Sequence, residues 1–164
     1  DWSKTLKGQG KFTLTKGKWL TFDLEKMLAG IEPFKTIATY SPSLRSFDSM
    51  DFQWRIAEGK LMSDNLLVKS SDYVLDGEGT LGFDGLANYR LDVFIASPLA
   101  AKLLPDLADV FGQNATAHLG PVPALLSGAL TAPDLKPEPE RTEDLVQKIE
   151  KKKTKDFLCE LVLE

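Results

Sequence analysis

Apolar and polar residues alternate through much of the first hundred positions, and a period of two predicts strands. Met50, Phe52, Trp54 and Ile56 fall on one side of a stretch whose other side carries Asp51, Gln53 and Arg55. Glu58-Gly59 is a tight-turn signal leading into a strand at Lys60–Lys69, and Ser70–Asp72 turns the chain again into Tyr73–Phe83. After Asp84-Gly85, Tyr89, Leu91, Val93 and Ile95 alternate with Asn88, Arg90 and Asp92. Near the start, Gly8–Thr15 alternates likewise, and Lys16-Gly17 predicts a hairpin into Lys18–Phe22. Consecutive strands joined by tight turns make an antiparallel meander. Each is apolar on one side only, so the predicted sheet has one dry and one wet face.

Helical spacing interrupts this pattern in a few places. Asp23 is a suitable N-cap for Leu24, Met27, Leu28 and Ile31, spaced as one helix face and ending near Gly30 and Pro33. Pro98–Phe111 reads as helical around Leu103, Leu104, Leu107 and Phe111. Ala115–Leu130 reads as a strand containing Pro121 and Pro123, which lack a ladder donor and suit a sheet edge or a strand start. Ala132–Glu140 is extended and linker-like. Thr142 is placed to cap a last helix through about Lys153, with Glu143 and Asp144 early and lysines late, matching the helix dipole.

The expected fold class is therefore α+β and β-dominated. A curved antiparallel sheet of about six to eight strands carries one or two short helices on its apolar face and a C-terminal helical tail. Residues 1–132 form the β domain, and 133–164 a Pro-rich linker and charged tail. A ten-residue strand spans roughly 33 Å, so the dry face exceeds what two short helices can hide.

The segment YVLDGEGTLGF, Tyr73–Phe83, contains a literal G-x-G-x-x-G at Gly77, Gly79 and Gly82. A dinucleotide site needs those glycines to open a helix whose N–H groups hold the pyrophosphate. Gly82 leads instead into a second turn and a second strand. Gly77 and Gly79 continue the apolar side defined by Tyr73, Leu75, Leu81 and Phe83, where they permit a bend or a close approach of another backbone.

Composition narrows the classes further. With 164 residues, 43% hydrophobic and 27% charged, the chain suits one domain with a core, and a net charge of −4 argues against a nucleic-acid-binding face. No run approaches the ~18 apolar residues of a membrane-spanning helix. The chain begins at Asp1 with no visible signal peptide, so it is expected to be an excised or processed piece with any membrane anchor upstream. Cys159 is a lone cysteine that reads as a small buried hydrophobe. His118, the only histidine, stands between Ala117 and Leu119 and reads as structural or exposed, not as a base or zinc ligand. Asp76, Glu78 and Asp92 fall on the wet side as solvated charges. Asn114–Thr116 is a glycosylation sequon without meaning in a bacterial setting, and Lys151–Lys155 reads as a solvated helix end that an anionic membrane could also attract. No catalytic, cofactor or metal site is predicted.

The order of the pieces resembles the C-terminal domain of the AsmA-like family of bacterial envelope proteins. Leu6–Leu14 with Lys16–Lys18 looks like the family's opening hairpin, and Phe22–Leu24 like the start of its short helix. Phe52–Leu67, with its central Glu-Gly-Lys and its ending at Asn65–Val68, looks like the strand–turn–strand unit. Gly77–Gly79, Asp84 and Tyr89–Leu91 look like the next pair of strands. Pro121-Val122 with Ser127–Pro133 looks like the closing strand, although Pro123 interrupts it and the tail from Glu138 onward matches nothing in the pattern. The resemblance implies a periplasmic module of an inner-membrane-anchored protein, involved in outer-membrane biogenesis and similar to bridge-like lipid-transfer proteins.

It also implies phospholipid or another envelope lipid as ligand, with envelope proteins as possible partners and no nucleic acid. The residues placed to line an apolar groove are Phe52, Trp54 and Ile56, then Leu75, Leu81 and Phe83, then Leu91 and Val93. The alternative is a structural, protein-binding domain that caps a longer β-assembly and has no ligand of its own. Calorimetric titration with NAD or ATP is expected to give no heat of binding; micromolar affinity would return the glycine motif to contention.

Overall fold

The structure, a computed structural model, describes residues 2–21, 23–40, 44–109, 116–153 and 162–163. Phe111, Asn114 and Cys159 lie outside them, as do residues 154–155 of the lysine run. Seven strands follow one another in space as in sequence: β1 (Gly8–Lys18), β2 (Ser46–Ala57), β3 (Lys60–Lys69), β4 (Tyr73–Gly82), β5 (Leu86–Ala96), β6 (His118–Ala129) and β7 (Asp134–Pro137). A two-residue β8 (Val162–Leu163) pairs with the start of β6. All pairings are antiparallel, so the meander expected from the alternation is the sheet of the protein. The helices are α1 (Trp2–Thr5), α2 (Leu24–Ala29), α3 (Ile37–Tyr40), α4 (Ser97–Leu103) and α5 (Pro139–Lys153), with 3-10 turns at Glu32–Phe34 and Pro105–Leu107.

Local chemistry explains most of the junctions. Glu58 and Gly59 both take positive φ, 54° and 75°, the geometry whose twist suits a two-residue hairpin. The Asp23 carboxylate accepts from the Lys26 N–H at 2.9 Å and so caps α2 as its position suggests. Pro123 lends its carbonyl to the Glu138 N–H, so its donor-less nitrogen points away from β5 and costs no bond of that ladder.

Three expectations are corrected. Lys16-Gly17 does not turn the chain: β1 runs through it to Lys18, with Thr15 opposite Ser49 and Gly17 opposite Phe47 in one register. Lys16 takes φ 56° as a local kink, and Gly17 is needed because the Phe47 ring occupies the place of a side chain there. The stretch read as a linker contributes β7, held to Ala124–Ser127 of β6. The last helix begins at Pro139, not at Thr142, because proline suits a first helical position and the Thr142 N–H already bonds the Glu138 carbonyl at 2.9 Å. Arg141 then reaches Asp92 at 2.8 Å and Glu138 at 3.1 Å, while Leu145 and Ile149 are buried.

The sheet curls. Seen flat, six strand spacings of about 4.8 Å would separate β1 from β7 by about 29 Å. Yet α2, the helix that comes after β1, packs on β7. The core fills one end of the concave side. Leu24, Met27, Leu28, Phe34, Ile37, Leu99 and Leu103 meet Val68, Tyr73, Val93, Ile95 and Leu119 there, and all are buried. Tyr73 is wholly enclosed; it accepts from Trp19 Nε1 at 2.8 Å and donates to the Ser46 carbonyl at 3.1 Å.

Gly77 and Gly79 lie inside β4, as the alternation predicts. A Cβ on Gly79 would press on the Asn88 carbonyl oxygen and stand 2.6 Å from Tyr89 Cα, both backbone atoms of the neighbouring strand. Gly79→Ala is therefore expected to destabilise the fold by about 1–3 kcal/mol, read from chemical denaturation. An unchanged midpoint would show that β4 and β5 do not approach as described.

Candidate functional site

Beyond the helices the concave side stays open as an apolar groove of about 240 Å³. Its floor is Leu75 and Leu81 of β4 with Tyr89 and Leu91 of β5. Met50 and Phe52 of β2 and Ser63 and Leu66 of β3 form one flank, and Trp19 and Thr21 continue it. Leu126 of β6, Leu130 and Pro133 form the other. Residues from near both edges of the sheet thus face one space, a consequence of the curl. The floor is low where β4 carries glycine: the Leu91 side chain lies across Gly77, and the Tyr89 ring crosses Gly79.

The eight residues expected in a groove divide into three groups. Phe52, Leu75, Leu81 and Leu91 come together in it. Leu75 and Leu91 are buried at its base, whereas Phe52 and Leu81 are half-buried. Val93 shares their face but lies under the helices, with no exposure at all. Trp54, Ile56 and Phe83 line no part of it. Ile56 pairs with Gly8 and Leu61 near the far end of the sheet, and Phe83 stacks on Trp2 with centroids 6.4 Å apart.

The ladder of β2 on β3 is interrupted beside Trp54. The register of β2 on β3 shifts between Asp51 and Arg55, and the Asn65 side-chain oxygen accepts the Gln53 N–H at 2.9 Å where a ladder bond would otherwise form. The extra residue lies in β3: β2 keeps one unbroken register on β1, so Trp54 stays on the face of Phe52 but further along the strand, past the groove. Trp54 lies across Gly10 and lines a separate hollow of about 480 Å³ with Gln9, Lys11, Arg55 and Asp64.

Thr21, Ser63 and Tyr89 are the polar members of the groove; the alternation put Tyr89 on this face but did not single out Ser63. The β3 register on β4 shifts between Ser63 and Leu66, which keeps both on the concave side although they are three residues apart. The sequence signal is the phase break at Asp64-Asn65, which with Ser63 makes three polar residues in a row between Met62 and Leu66. Ser63 is 2% exposed, and its hydroxyl has no hydrogen-bond partner among the described residues. Burial raises the Tyr89 phenol above its ordinary range, so it stays a neutral donor.

The convex side carries the charges. Asp64, Asp76, Glu78, Arg90 and Asp92 line a hollow of about 230 Å³, with Arg90 on Glu138 at 2.8 Å and Asp92 on Arg141. The two arginines hold the Glu138 carboxyl below its usual range, the Arg90 hydrogen bond first among the causes. His118 sits in β6 between Ala96 of β5 and Leu163 of β8. Among the described residues, no His, Cys, Asp and Glu group is arranged to hold a metal ion, and no helix is long and apolar enough to cross a membrane. Compared with known proteins, the chain matches no family model, no curated protein and no solved structure.

Buried and open positions of the same face should respond differently to a charge. Val93→Asp buries an unpaired carboxylate among helices and is expected to cost about 3 kcal/mol or more, unfolding the domain. Leu81→Asp places the same group at the open end and should leave thermal melting within a few degrees of wild type. Equal collapse in both variants would mean that the groove is closed core.

Proposed function

We propose that this domain is a non-enzymatic lipid-binding module whose groove takes an acyl chain. The observation that carries the reading is the uncovered apolar stretch of the concave side, floored by Leu81 and Leu91 and flanked by Phe52 and Leu126. Apolar surface held open to water is unfavourable, and a hydrocarbon chain laid in the groove would remove it from water. The groove has no ionisable group beyond the raised phenol of Tyr89, which suits a hydrocarbon chain and offers no paired acid and base for chemistry. Resemblance to the AsmA-like C-terminal domain adds the setting. In that reading the module belongs to an inner-membrane-anchored protein of a Gram-negative bacterium, works in the periplasm in outer-membrane biogenesis, and binds or conducts phospholipid.

A second reading has its own support. Trp2, Phe83, Leu86 and Leu130 are exposed around the open end of the sheet, and the outer edge of β1 pairs with no strand among the described residues. Those features suit a domain that caps a longer β-assembly through protein contacts alone.

Lipid separates the two. Native mass spectrometry of the purified domain should find a bound amphiphile, and a fluorescent fatty acid should bind and be displaced by phospholipid. Leu81→Asp should weaken that binding by roughly tenfold, or about 1.4 kcal/mol, with the fold intact. Absence of lipid together with failure of the fatty acid to bind would leave the capping role.

A further inference from the structure

The groove contains one group that an all-hydrocarbon ligand would leave unsatisfied. Ser63 is 2% exposed, and its hydroxyl bonds nothing among the described residues. The residue directly opposite on β4 is Gly79, which has no side chain of its own, and the Tyr89 ring of β5 crosses it. Met50, Phe52, Leu66 and Leu81 in the groove have no side-chain oxygen or nitrogen to offer, and its polar members Thr21 and Tyr89 do not bond the hydroxyl either. A buried hydroxyl without a partner is costly, and such groups are rare enough that each calls for a physical cause.

We propose that Ser63 donates a hydrogen bond to a carbonyl of the ligand, so that the site recognises the ester end of a single acyl chain and not bare hydrocarbon. The inference rests on the lipid-binding reading and specifies its chemistry. Volume supports one chain: about 240 Å³ exceeds the roughly 150 Å³ that accommodates a benzene ring but falls below the roughly 300–1,000 Å³ of ordinary ligand pockets. The bulge at Ser63–Leu66 is the device that turns the hydroxyl inward, since strict alternation from Leu66 would put residue 63 on the charged convex side. Tyr89, whose ring crosses Gly79 from β5, supplies a second neutral hydroxyl on the same floor.

Two single-chain probes of equal length and headgroup test this: an ester-linked lysophosphatidylcholine and its ether-linked counterpart, which lacks the carbonyl. Wild-type protein is expected to hold the ester roughly three- to tenfold more tightly, the effect of one neutral hydrogen bond. Ser63→Ala should abolish that preference, leave ether binding unchanged and melt no lower than wild type. Equal binding of both probes by wild type, or an ester preference that survives Ser63→Ala, overturns the proposal while the groove remains a lipid site. A marked loss of stability in Ser63→Ala also overturns it, because the hydroxyl would then have a partner within the fold. If neither probe binds wild type, the lipid reading itself falls.

Discussion

Strands β3 and β4 are ten residues long and extend roughly 33 Å, whereas α2 and α4, at six and seven residues, reach only about 9 and 10 Å. Helices of that length leave part of the concave side open as the groove. Everything else in the molecule depends on how this mismatch is placed. Both helices sit at the end where β3 finishes and β4 begins, so burial is complete there and only partial along the groove, where Phe52 and Leu81 stay half-exposed. Sharing the cover evenly would have left shallow exposure everywhere. Concentrating it gives a dry core strong enough to hold the sheet and a free apolar surface beside it.

The anchor of the closed end is polar. Trp19 comes directly after β1 and Tyr73 opens β4, so the Trp19–Tyr73–Ser46 chain of hydrogen bonds draws together segments from opposite parts of the meander. Enclosure pushes the Tyr73 phenol up to about 12, the bond from Trp19 working in the opposite direction. The phenol therefore remains protonated and able to donate to Ser46 throughout the range in which the protein works. Its place at the end of the groove fixes Trp19 as a wall, because the indole is held by its nitrogen and packs its ring on Phe47.

Much of this was legible in the sequence. Alternation located β2 to β5 and identified their apolar side, and the Asp23 cap with its helical spacing located α2. Four of the eight expected lining residues meet in the groove for that reason. The remainder depended on things that period alone does not encode. Val93 and Leu91 are two residues apart on one face, and only the position of α4 makes one core and the other groove floor. The one extra residue of β3 at 63–66 shifts the phase of that strand and admitted Ser63, while Trp54 keeps its face but lies beyond the groove along β2. At Lys16-Gly17 the residues of a turn appear without one, because the glycine is there for the Phe47 ring and not for a reversal. β7 is four residues with two prolines nearby, too short for its alternation to register.

The glycines of β4 tie these points together. A G-x-G-x-x-G in a nucleotide site lets backbone approach a phosphate at a helix start, and here the same absence of Cβ lets one strand approach another. Side chains on Gly77 and Gly79 would stand against Leu91 and Tyr89, lifting the floor and forcing β5 away. A sheet that must both curl and keep a concave hollow needs small residues on its inner side, since the inner side of a bend has less room than the outer. The charged residues beside them, Asp76 and Glu78, point to the roomier convex side and stay in water. One short run of β4 thus sets the depth of the groove and the closeness of β4 to β5. Its resemblance to a nucleotide motif is a product of the geometry of a curved strand.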